Sequence, residues 1–524
     1  MRLAIVDIGT NSCHLVVADV GPEGQIQTVA KQREQVELGA GGLDQGRITP
    51  AAFERGLAAM DSFQHVMEIL GVDAVHTAAT SAVRESENGE DFCREVRKRT
   101  GIHLRAISGH DEARLIWMGA RTSIDFRAGN AVLVDLGGGS LELVLCDAER
   151  PHVEASLPLG HIRLSERFHR SDPISRTELQ DLRTHVRAQL QTLPSAMRTG
   201  ASVVGTSGAA KTLARMATIA RGGTPPERDN GLVATRDDLE VLVRELTTRK
   251  ASKISEIAGM DPKRKRTLPT AAAILAETLA YLGAERMLTS DTGLREGLLQ
   301  DWIVRHRPEL ALSATVADPR RRAILAMAER YTVDMVHAEH VARLALHLFD
   351  ATTQLHGCGP HERDLLEFAA LVHDVGHYID GEDHHRHGQY LVRNTPLAGF
   401  TEPDVGLLAS LVRFHRGQRP KPTHMEVAAL GPAERRVFNV LVGVLRLADA
   451  LDRSKEQVVA RVEVGISASR ITVRALCREP APLERWATAR RTDLLAAALE
   501  REVDVTRVTL PASDLPANFP PSPH

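Results

Sequence analysis

The amino-acid sequence predicts an α/β fold up to about residue 305, an all-α domain after it, and a small α+β unit towards the C-terminal end. Short β-rich runs alternate with helical patterns in the first part. From Asp318 to Ser454, apolar residues recur at spacings of three and four, which is typical of packed helices. Alternating segments return after Val459. A chain of 524 residues is long enough for these separate cores.

The strands expected in the first part are short, and the helices between them are longer and amphipathic. The predicted strands are Arg2–Asp7, His14–Asp19, Ala131–Asp135, Glu142–Cys146 and Ser202–Gly205. The predicted helices include Pro50–Leu70, Glu90–Arg99, Thr177–Leu193 and Leu239–Thr247.

Composition restricts the classes of function. The net charge of −3 provides no general basic field, so we expect no specific nucleic-acid partner, and any anion site must be local. The five cysteines are scattered without paired spacing, which argues against a disulfide framework. The sequence has no signal-peptide pattern and no apolar run near the roughly 18 residues of a membrane span. These features predict a cytoplasmic protein that does not enter a membrane.

Two glycine-containing turns form an internal repeat. Ile5–Ser12 and Leu133–Ser140 each place an aspartate after a β-rich run, then a glycine turn and small hydroxyl residues. Each is followed by a second strand-like run, so both copies predict a β-hairpin. The pair predicts duplicated lobes, 1–124 and 125–305, that face one another.

The two predicted turns suit a phosphate ligand. Glycine lets backbone N–H groups approach an anion closely, and the side chains of Thr10, Asn11, Ser12 and Ser140 add donors. The aspartates that precede the turns can hold Mg²⁺ or its water shell. The alternative interpretation of either copy alone is a tight hairpin with an aspartate at the strand end.

A third segment, Val203–Lys211, predicts a strand, a Gly/Thr/Ser turn and the start of a helix. Backbone N–H groups at a helix N-terminus bind anions well. A simple capped helix is the alternative interpretation of this segment.

These three motifs resemble the phosphate and nucleotide-side motifs of the actin/sugar-kinase/Hsp70 superfamily. Three further segments, Ala79–Arg84, Ile107–Leu115 and Ser290–Gly297, make the resemblance narrower. Together the motifs resemble the exopolyphosphatase/guanosine pentaphosphate phosphohydrolase (Ppx/GppA) family, in that family's order. The resemblance implies two actin-like lobes of the ribonuclease H-like, ASKHA type.

The resemblance implies a hydrolase that releases terminal orthophosphate from polyphosphate or converts guanosine pentaphosphate (pppGpp) to ppGpp. Glu112 matches the family's general base, and Asp111 is the neighbouring alternative. Without the family, Glu112 is typical of a first-turn helix glutamate favoured by the helix dipole. Water attacking a phosphoryl group needs a residue that orients it and accepts its proton. The resemblance also implies a homodimer.

The resemblance further implies Mg²⁺ or Mn²⁺ as cofactor, held by Asp135 and Glu142 with Asp7 nearby. Arg84 matches a phosphate-contacting arginine, although a surface ion pair with Glu85 or Glu87 would also explain it. The expected phosphate-binding residues are Thr10, Asn11, Ser12, Arg84, Gly138, Gly139, Ser140, Gly205, Ser207 and Gly208.

Lys263-Arg264-Lys265-Arg266 is a compact basic run on an expected loop. Such a run can guide a long polyanion towards a cleft, and it is also common on solvated loops.

Histidines are concentrated in the helical part, where twelve of the 23 lie between His337 and His424. His340, the pair His373-Asp374 and Asp449 occur in the order of ligands in the HD phosphohydrolase superfamily, which the segment 318–455 resembles. The resemblance implies one or two divalent ions, although the histidines could instead pack between helices. It leaves open which of His384, His385, His387 and His415 would join the site.

The remaining segments are expected to form a small α+β unit over residues 456–510. Two strands, Ala460–Ile466 and Ile471–Leu476, precede a helix, Leu483–Arg501, and a strand-like run, Val505–Leu510. The segment 511–524 contains five prolines and is expected to be disordered.

Three other functions compete with the leading prediction. The helical domain could be a metal-dependent nucleotide phosphohydrolase, or the chain could sense polyphosphate or an alarmone without hydrolysis. An actin-like kinase is less favoured, because no acceptor-binding domain is evident in the sequence.

Overall fold

The computed structural model describes residues 1–21, 26–124, 126, 129–198, 201–224, 227–307, 318–428 and 430–509. The chain divides into two compact units, Met1–Pro319 and Arg320–His524. Within the described ranges, no helix is both long and apolar enough to cross a lipid bilayer. The sequence also predicts a linker over Ser313–Pro319; its residues 313–317 and the tail 511–524 lie outside the described residues.

The first sheet of unit 1 has four strands in the order β3-β2-β1-β4. Strands β1 and β2 form the first predicted hairpin, in which Asp7 pairs with His14, and β4 lies parallel to β1. The strands are β1 Arg2–Ile8, β2 Cys13–Val20, β3 Ile26–Glu34 and β4 Ala74–Ala79.

The second sheet has six strands in the order β7-β6-β5-β8-β10-β9. It repeats the first arrangement: β5 and β6 form a hairpin in which Asp135 pairs with Glu142, and β8 lies parallel to β5. The predicted duplication of the hairpins is therefore confirmed. The strands are β5 Ala131–Leu136, β6 Leu141–Cys146, β7 Pro151–Leu157, β8 Ser202–Gly205, β9 Val233–Thr235 and β10 Arg286–Thr289.

Several helices of unit 1 begin at a side-chain cap. For example, the Thr49 side chain caps the first helix, Pro50 occupies its first turn, and Gly71 ends it in the left-handed conformation. The helices are α1 Pro50–Leu70, α2 Ser81–Arg84, α3 Gly89–Thr100, α4 Gly109–Ala120, α5 His161–Phe168, α6 Arg176–Leu190, α7 Gly208–Ala220, α8 Arg236–Thr248, α9 Ala251–Ile254, α10 Leu268–Leu282 and α11 Leu294–His306.

One apolar core of unit 1 is shared by both sheets, because α4 and α11 pack closely between them. This core contains Leu3 and Ile5 of β1, Leu133 of β5 and Trp302 of α11. A Cβ atom on Gly297 would lie 1.8 Å from the carbonyl oxygen of Leu115, so glycine allows the two helices to touch. The shared core positions the N-terminus of α4 relative to both hairpins.

Unit 2 confirms the predicted run of helices. They are α12 Pro319–Arg330, α13 Met335–Ala351, α14 Thr353–His356, α15 Pro360–Val372, α16 His384–Asn394, α17 Glu402–Phe414, α18 Met425–Ala428, α19 Pro432–Leu451, α20 Pro482–Thr488 and α21 Asp493–Leu499.

A three-stranded sheet completes unit 2, in the order β11-β12-β13. A single apolar core joins this sheet to the helices, since Val459 and Ile471 belong to the same cluster as Phe368 and Leu441. The strands are β11 Val459–Ile466, β12 Arg470–Cys477 and β13 Glu502–Thr509.

The single helix predicted over Leu483–Arg501 is wrong. The chain forms α20 and α21 instead, separated by a turn at residues 489–492. In that turn the amides of Arg490 and Arg491 bond to carbonyls only three residues back. The break lets α21 pack on α19, where Gly443 lies against the backbone of Leu495.

Candidate active site

A cleft in unit 1 brings the two hairpin turns together. It encloses about 930 Å³ of space that is open to solvent. Both strand-end aspartates, Asp7 and Asp135, line it, and so does Glu112. The other predicted residues in its lining are Thr10, Asn11, Ser12, Gly138, Ser140, Glu142, Ser207 and Gly208.

The two turns touch directly, and glycine makes the contact possible. The Thr10 hydroxyl lies 2.8 Å from the hydroxyl of Ser81. A Cβ atom on Gly139 would lie 2.2 Å from that Ser81 oxygen, and one on Gly138 would lie 2.9 Å from the Thr10 Cβ. Gly139, a predicted phosphate-binding residue, therefore lies against Ser81 and Thr10 and is not part of the cleft lining.

Glu112 reaches the cleft from the first turn of α4. The Ser108 side chain caps this helix by accepting from the Asp111 amide. Glu112 is 7% exposed, and Arg84 Nη1 donates to its Oε2 at 2.8 Å. The guanidinium group of Arg84, which is predicted to contact phosphate, donates to Glu112 and to the Ile107 carbonyl, and its Nη2 lies 3.5 Å from Glu85 Oε1.

Four of the carboxyl groups that line the cleft, two of them buried (Glu112 and Glu142) and two partly exposed (Asp7 and Asp135), lie deep enough that desolvation raises the pKa of each. Burial raises the pKa of Glu112 to about 7, against the lowering effect of the Arg84 hydrogen bond. It raises the pKa of Asp7 to about 6. Burial also raises the pKa of Asp135, and it raises that of Glu142 well above its usual value with help from nearby Glu112. The cleft therefore favours a cation among these groups.

The donor set fits Mg²⁺ in part. Oxygen ligands are what Mg²⁺ prefers, and it commonly keeps several waters while bridging carboxylates to substrate phosphates. Among the described residues, no three carboxylate oxygens of the cleft lie within 4.8 Å of one another. The residues therefore suit an ion that is completed by water and phosphate oxygens rather than one enclosed by protein.

The third predicted motif lies at the N-terminus of α7. Ser207 caps this helix by accepting from the Ala210 amide at 3.2 Å, and the Thr206 hydroxyl donates to Asp135 Oδ2 at 2.8 Å. Gly205 lies outside the cleft lining, at the end of β8. A Cβ atom on Gly208 would lie 2.2 Å from Arg264 Nη2, so glycine admits this guanidinium group to the helix end.

Arg264 is the member of the basic run that enters the cleft lining. The other three members, Lys263, Lys265 and Arg266, are exposed and line a neighbouring cavity. That cavity shares Asn11 with the cleft and also contains Glu37 and Glu166. The basic run thus lies beside the cleft rather than on a remote loop.

Sequence reasoning missed His161 and Arg295, which also line the cleft. His161 begins α5 and is 4% exposed, and its Nδ1 atom has no hydrogen-bond partner within the described residues. Burial, together with nearby Arg264, lowers the pKa of His161 to about 3, so this imidazole is neutral. The sequence offered one signal for His161, which is the glycine before it. Gly160 and Gly137–Gly139 together predict that two backbone segments approach each other closely next to this histidine.

A second cluster of predicted residues lies in unit 2. His373, Asp374 and Asp449 come together, with His373 Nε2 3.7 Å from an oxygen of each aspartate. His340 is not in this cluster; its Nδ1 accepts from Arg343 Nη2 at 2.8 Å. His337, one turn earlier on α13, lies there instead, 3.3 Å from His373. His337 and His340 are three residues apart on one face of α13, so the sequence pattern could not show which of them faces the cluster.

Two of the four histidines left open also join this cluster. His384 and His415 lie 3.4 Å and 3.7 Å from Asp374 Oδ1. Neither His385 nor His387 belongs to a group of three convergent metal-ligand atoms among the described residues. The Nε2 atom of His385 lies 3.8 Å from Asp383 Oδ1.

Two sequence-family models match the chain. The model of the Ppx/GppA phosphatase family matches residues 16–306, and that of Ppx/GppA phosphatase, domain III, matches residues 320–502.

Solved structures with similar folds agree with this match. An exopolyphosphatase from Cytophaga hutchinsonii ATCC 33406 is 25% identical, with a TM-score of 0.55, over 59% of this chain and 100% of that one. A Ppx/GppA family member from Aquifex aeolicus is 24% identical, with a TM-score of 0.50, over 59% of this chain and 99% of its own. An exopolyphosphatase-like protein is 24% identical, with a TM-score of 0.53, over 58% and 99%.

Proposed function

The chain belongs to the Ppx/GppA phosphatase family and hydrolyses phosphoanhydride bonds, and we propose that unit 1 releases terminal orthophosphate from inorganic polyphosphate. The observation that carries the proposal is the shared cleft. Both hairpin turns, the N-terminus of α7 and the Glu112 carboxyl line one solvent-open space. Such a space suits the end of a polyanion beside a candidate base.

Two features of the cleft favour polyphosphate over a nucleotide. Its described lining contains no Phe, Tyr or Trp on which a base would stack. The adjoining cavity carries Lys263, Lys265 and Arg266 and shares Asn11 with the cleft. We propose that a chain of phosphates extends from the cleft towards these basic side chains. The structure that is 25% identical is itself an exopolyphosphatase.

In the proposed reaction, Glu112 orients a water molecule and accepts its proton as the water oxygen attacks the terminal phosphorus. The bond from that phosphorus to the bridging oxygen breaks, and the shortened chain leaves with the negative charge. The turn N–H groups and the guanidinium groups of Arg264 and Arg295 stabilise the charge on the phosphate oxygens.

Mg²⁺ held by Asp7, Asp135 and Glu142 would neutralise phosphate charge in the same cleft. Burial raises the pKa values of these three carboxyl groups, which supports this part of the proposal, because a bound cation compensates the charge that burial disfavours.

The test is orthophosphate release from long polyphosphate and from pppGpp, side by side with Mg²⁺. We expect polyphosphate to be the better substrate, and Glu112→Gln to lower kcat by roughly 10²- to 10⁴-fold. Asp111→Asn is the matched control, because Asp111 is adjacent but bonds to Ser108 at the exposed helix cap.

Three results would count against the proposal. The assignment of polyphosphate fails if pppGpp is the better substrate. The role of Glu112 fails if Glu112→Gln keeps its turnover. Ligand-dependent thermal stabilisation without any phosphate release would instead favour the sensor hypothesis.

A further inference from the structure

We propose that His14 is a positioning residue of the cleft, which directs the hydroxyl proton of Ser12 towards a substrate phosphate and holds Arg295 beside the same turn. All three side chains line the cleft. Because this role requires a phosphate group in the cleft, it rests on the proposed function of unit 1.

His14 lies on β2, directly after the first hairpin turn, and is opposite Asp7 of β1 in the ladder. The preceding residue, Cys13, belongs to the apolar core on one face of this sheet. Successive side chains of a strand point to opposite faces, so the His14 ring is directed to the other face. There it lines the cleft next to Ser12.

A hydrogen bond from Arg295 fixes the tautomer of the His14 ring. Arg295 Nη1 lies 3.0 Å from His14 Nδ1. A guanidinium group can only donate, so Nδ1 must be the ring atom with the lone pair. An imidazole that accepts at Nδ1 is neutral and carries its single N–H proton on Nε2.

The proton on Nε2 determines how the Ser12 hydroxyl group can bond. Ser12 Oγ lies 3.2 Å from His14 Nε2, so the imidazole donates and the hydroxyl oxygen accepts. The hydroxyl group keeps its own proton for a different acceptor. Across the part of the chain that the structure describes, Ser12 Oγ has no second hydrogen-bond partner.

The free hydroxyl proton of Ser12 is placed where a phosphate oxygen can accept it. Ser12 is 8% exposed and lines the cleft. A buried donor without an acceptor costs free energy, and a negatively charged oxygen is a strong acceptor. We therefore expect the Ser12 hydroxyl to donate to the substrate, with His14 fixing its direction.

Arg295 reaches the same place with most of its donors unused. It lies in the first turn of α11 and is half-buried. Its bond to His14 uses one of the five N–H groups of a guanidinium group. It forms no ion pair with any carboxylate in the described ranges. The remaining N–H groups are therefore available to phosphate oxygens.

Other hydroxyl groups that are predicted to bind phosphate are supported locally. The Thr10 hydroxyl pairs with another hydroxyl, that of Ser81, at 2.8 Å. The Ser207 hydroxyl accepts from a backbone amide of its own helix. Ser12 instead depends on a ring that a charged residue from a remote segment holds in place. Loss of that ring should therefore affect two phosphate donors at once.

The first experiment determines the tautomer without any substrate. In protein labelled with nitrogen-15 in its histidine rings, chemical shifts distinguish a protonated from an unprotonated ring nitrogen. The His14 signals are those that disappear in His14→Gln. We expect a proton on Nε2 and none on Nδ1 at pH 7.5. A proton on Nδ1 would overturn the proposal, whatever the protein hydrolyses.

The second experiment compares two substitutions of His14 by steady-state kinetics. Glutamine can place a side-chain N–H near the position of the imidazole Nε2–H, whereas alanine cannot. We expect His14→Ala to raise KM roughly 10-fold and to change kcat much less, and His14→Gln to recover most of the loss. Equal losses in the two variants, or a lower kcat at unchanged KM, would overturn the positioning role.

A control variant removes a histidine of the same kind from another strand. His152 lies on β7 and bonds to the side chain of Asp147 at 2.8 Å, but it is not part of the cleft lining. We expect His152→Ala to leave KM unchanged. A rise in KM equal to that of His14→Ala would show that the effect does not depend on the cleft.

The third experiment tests whether His14 acts through Ser12. We expect Ser12→Ala alone to raise KM roughly 10-fold. The double variant Ser12→Ala/His14→Ala should raise KM by clearly less than the product of the two single effects, because both substitutions remove one shared interaction. An increase equal to that product would overturn the link between the two residues.

These kinetics use polyphosphate or pppGpp, whichever the wild-type protein hydrolyses faster. If pppGpp is the better substrate, the assignment of polyphosphate fails, but the comparisons among His14 variants still decide its role. If Glu112→Gln keeps its turnover, the role of Glu112 fails, and the same KM ratios still test His14. If neither substrate is hydrolysed, Kd values for polyphosphate from titration calorimetry replace KM in each comparison.

Discussion

Two opposing effects set the pKa of the Glu112 carboxyl group. Burial raises the pKa of its carboxyl to about 7, whereas the hydrogen bond from Arg84 lowers it. A base must be deprotonated to accept a proton, so the activity assigned to Glu112 should fall as the pH drops below about 7. Arg84 is a positioning residue in this geometry, because it acts through the carboxylate.

Arg84→Gln should move the acid limb of the pH–rate profile to higher pH. The substitution removes the interaction that lowers the pKa of Glu112 and leaves the burial that raises it. The measurement is kcat/KM for polyphosphate from pH 5.5 to 9. Arg99→Gln, which removes a surface arginine paired with Asp61, serves as control and should leave the profile in place. A profile unchanged by Arg84→Gln would contradict the interaction.

His161 presents a neutral imidazole to the cleft with Nδ1 unpaired within the described residues. If Nδ1–H donates to a phosphate oxygen, His161→Ala should raise KM for polyphosphate by roughly 10- to 100-fold and change kcat less. Steady-state kinetics would measure this split. His185→Ala, a half-buried histidine on α6 that contacts Phe168, is the control. An unchanged KM would remove His161 from the substrate contacts.

At the scale of elements, the cleft depends on close approach between backbones. A Cβ atom on Gly160 would lie 2.2 Å from the Gly139 carbonyl carbon and 2.3 Å from the Gly138 oxygen. The backbone of Gly160 is extended, so the constraint is space rather than conformation. The second hairpin turn and the start of α5 thus fit together only without a side chain at this position.

Gly160→Ala should destabilise the protein by about 1–3 kcal/mol and strongly reduce polyphosphatase activity, because the turn must move away from α5. Chemical denaturation would measure the stability. The control is Gly406→Ala within α17, where nothing lies within 4 Å of the added methyl group and alanine favours the helix. Equal effects of the two substitutions would show that crowding at Gly160 is unimportant.

At the scale of the whole molecule, the four cleft carboxyl groups link stability to pH and to metal. The pKa values of these groups are raised in the folded protein, to about 6 for Asp7 and about 7 for Glu112. The stability that the protonated groups contribute is therefore present at low pH and is lost as the pH rises through these values. A bound cation would offset this loss by compensating the negative charge.

We therefore expect Mg²⁺ to raise the Tm more at pH 8 than at pH 5, relative to protein in EDTA. Thermal melts at both pH values would measure the difference. Asp135→Asn removes one of these four carboxylates and should reduce the Mg²⁺ effect at pH 8. An equal effect of Mg²⁺ at both pH values would contradict a cation site among these groups.

Local patterns were sufficient to predict most of the elements and the main parts of the candidate site. The hairpins around Asp7 and Asp135, helix α1 and the helical run of unit 2 were all predicted, because strand alternation, glycine turns and helix caps act between near neighbours. The helix predicted over Leu483–Arg501 failed because its break is stabilised by packing of α21 on a distant helix.

By itself, the sequence determined the two kinds of fold, the duplicated hairpin turns and the placement of Glu112 at a helix start. Only the tertiary structure decided that His337 rather than His340 joins His373, that Arg264 enters the cleft, and that Arg84 is directed to Glu112. The physical reason is distance along the chain. Backbone patterns depend on neighbouring residues, whereas a site is made by side chains that packing brings together from remote segments.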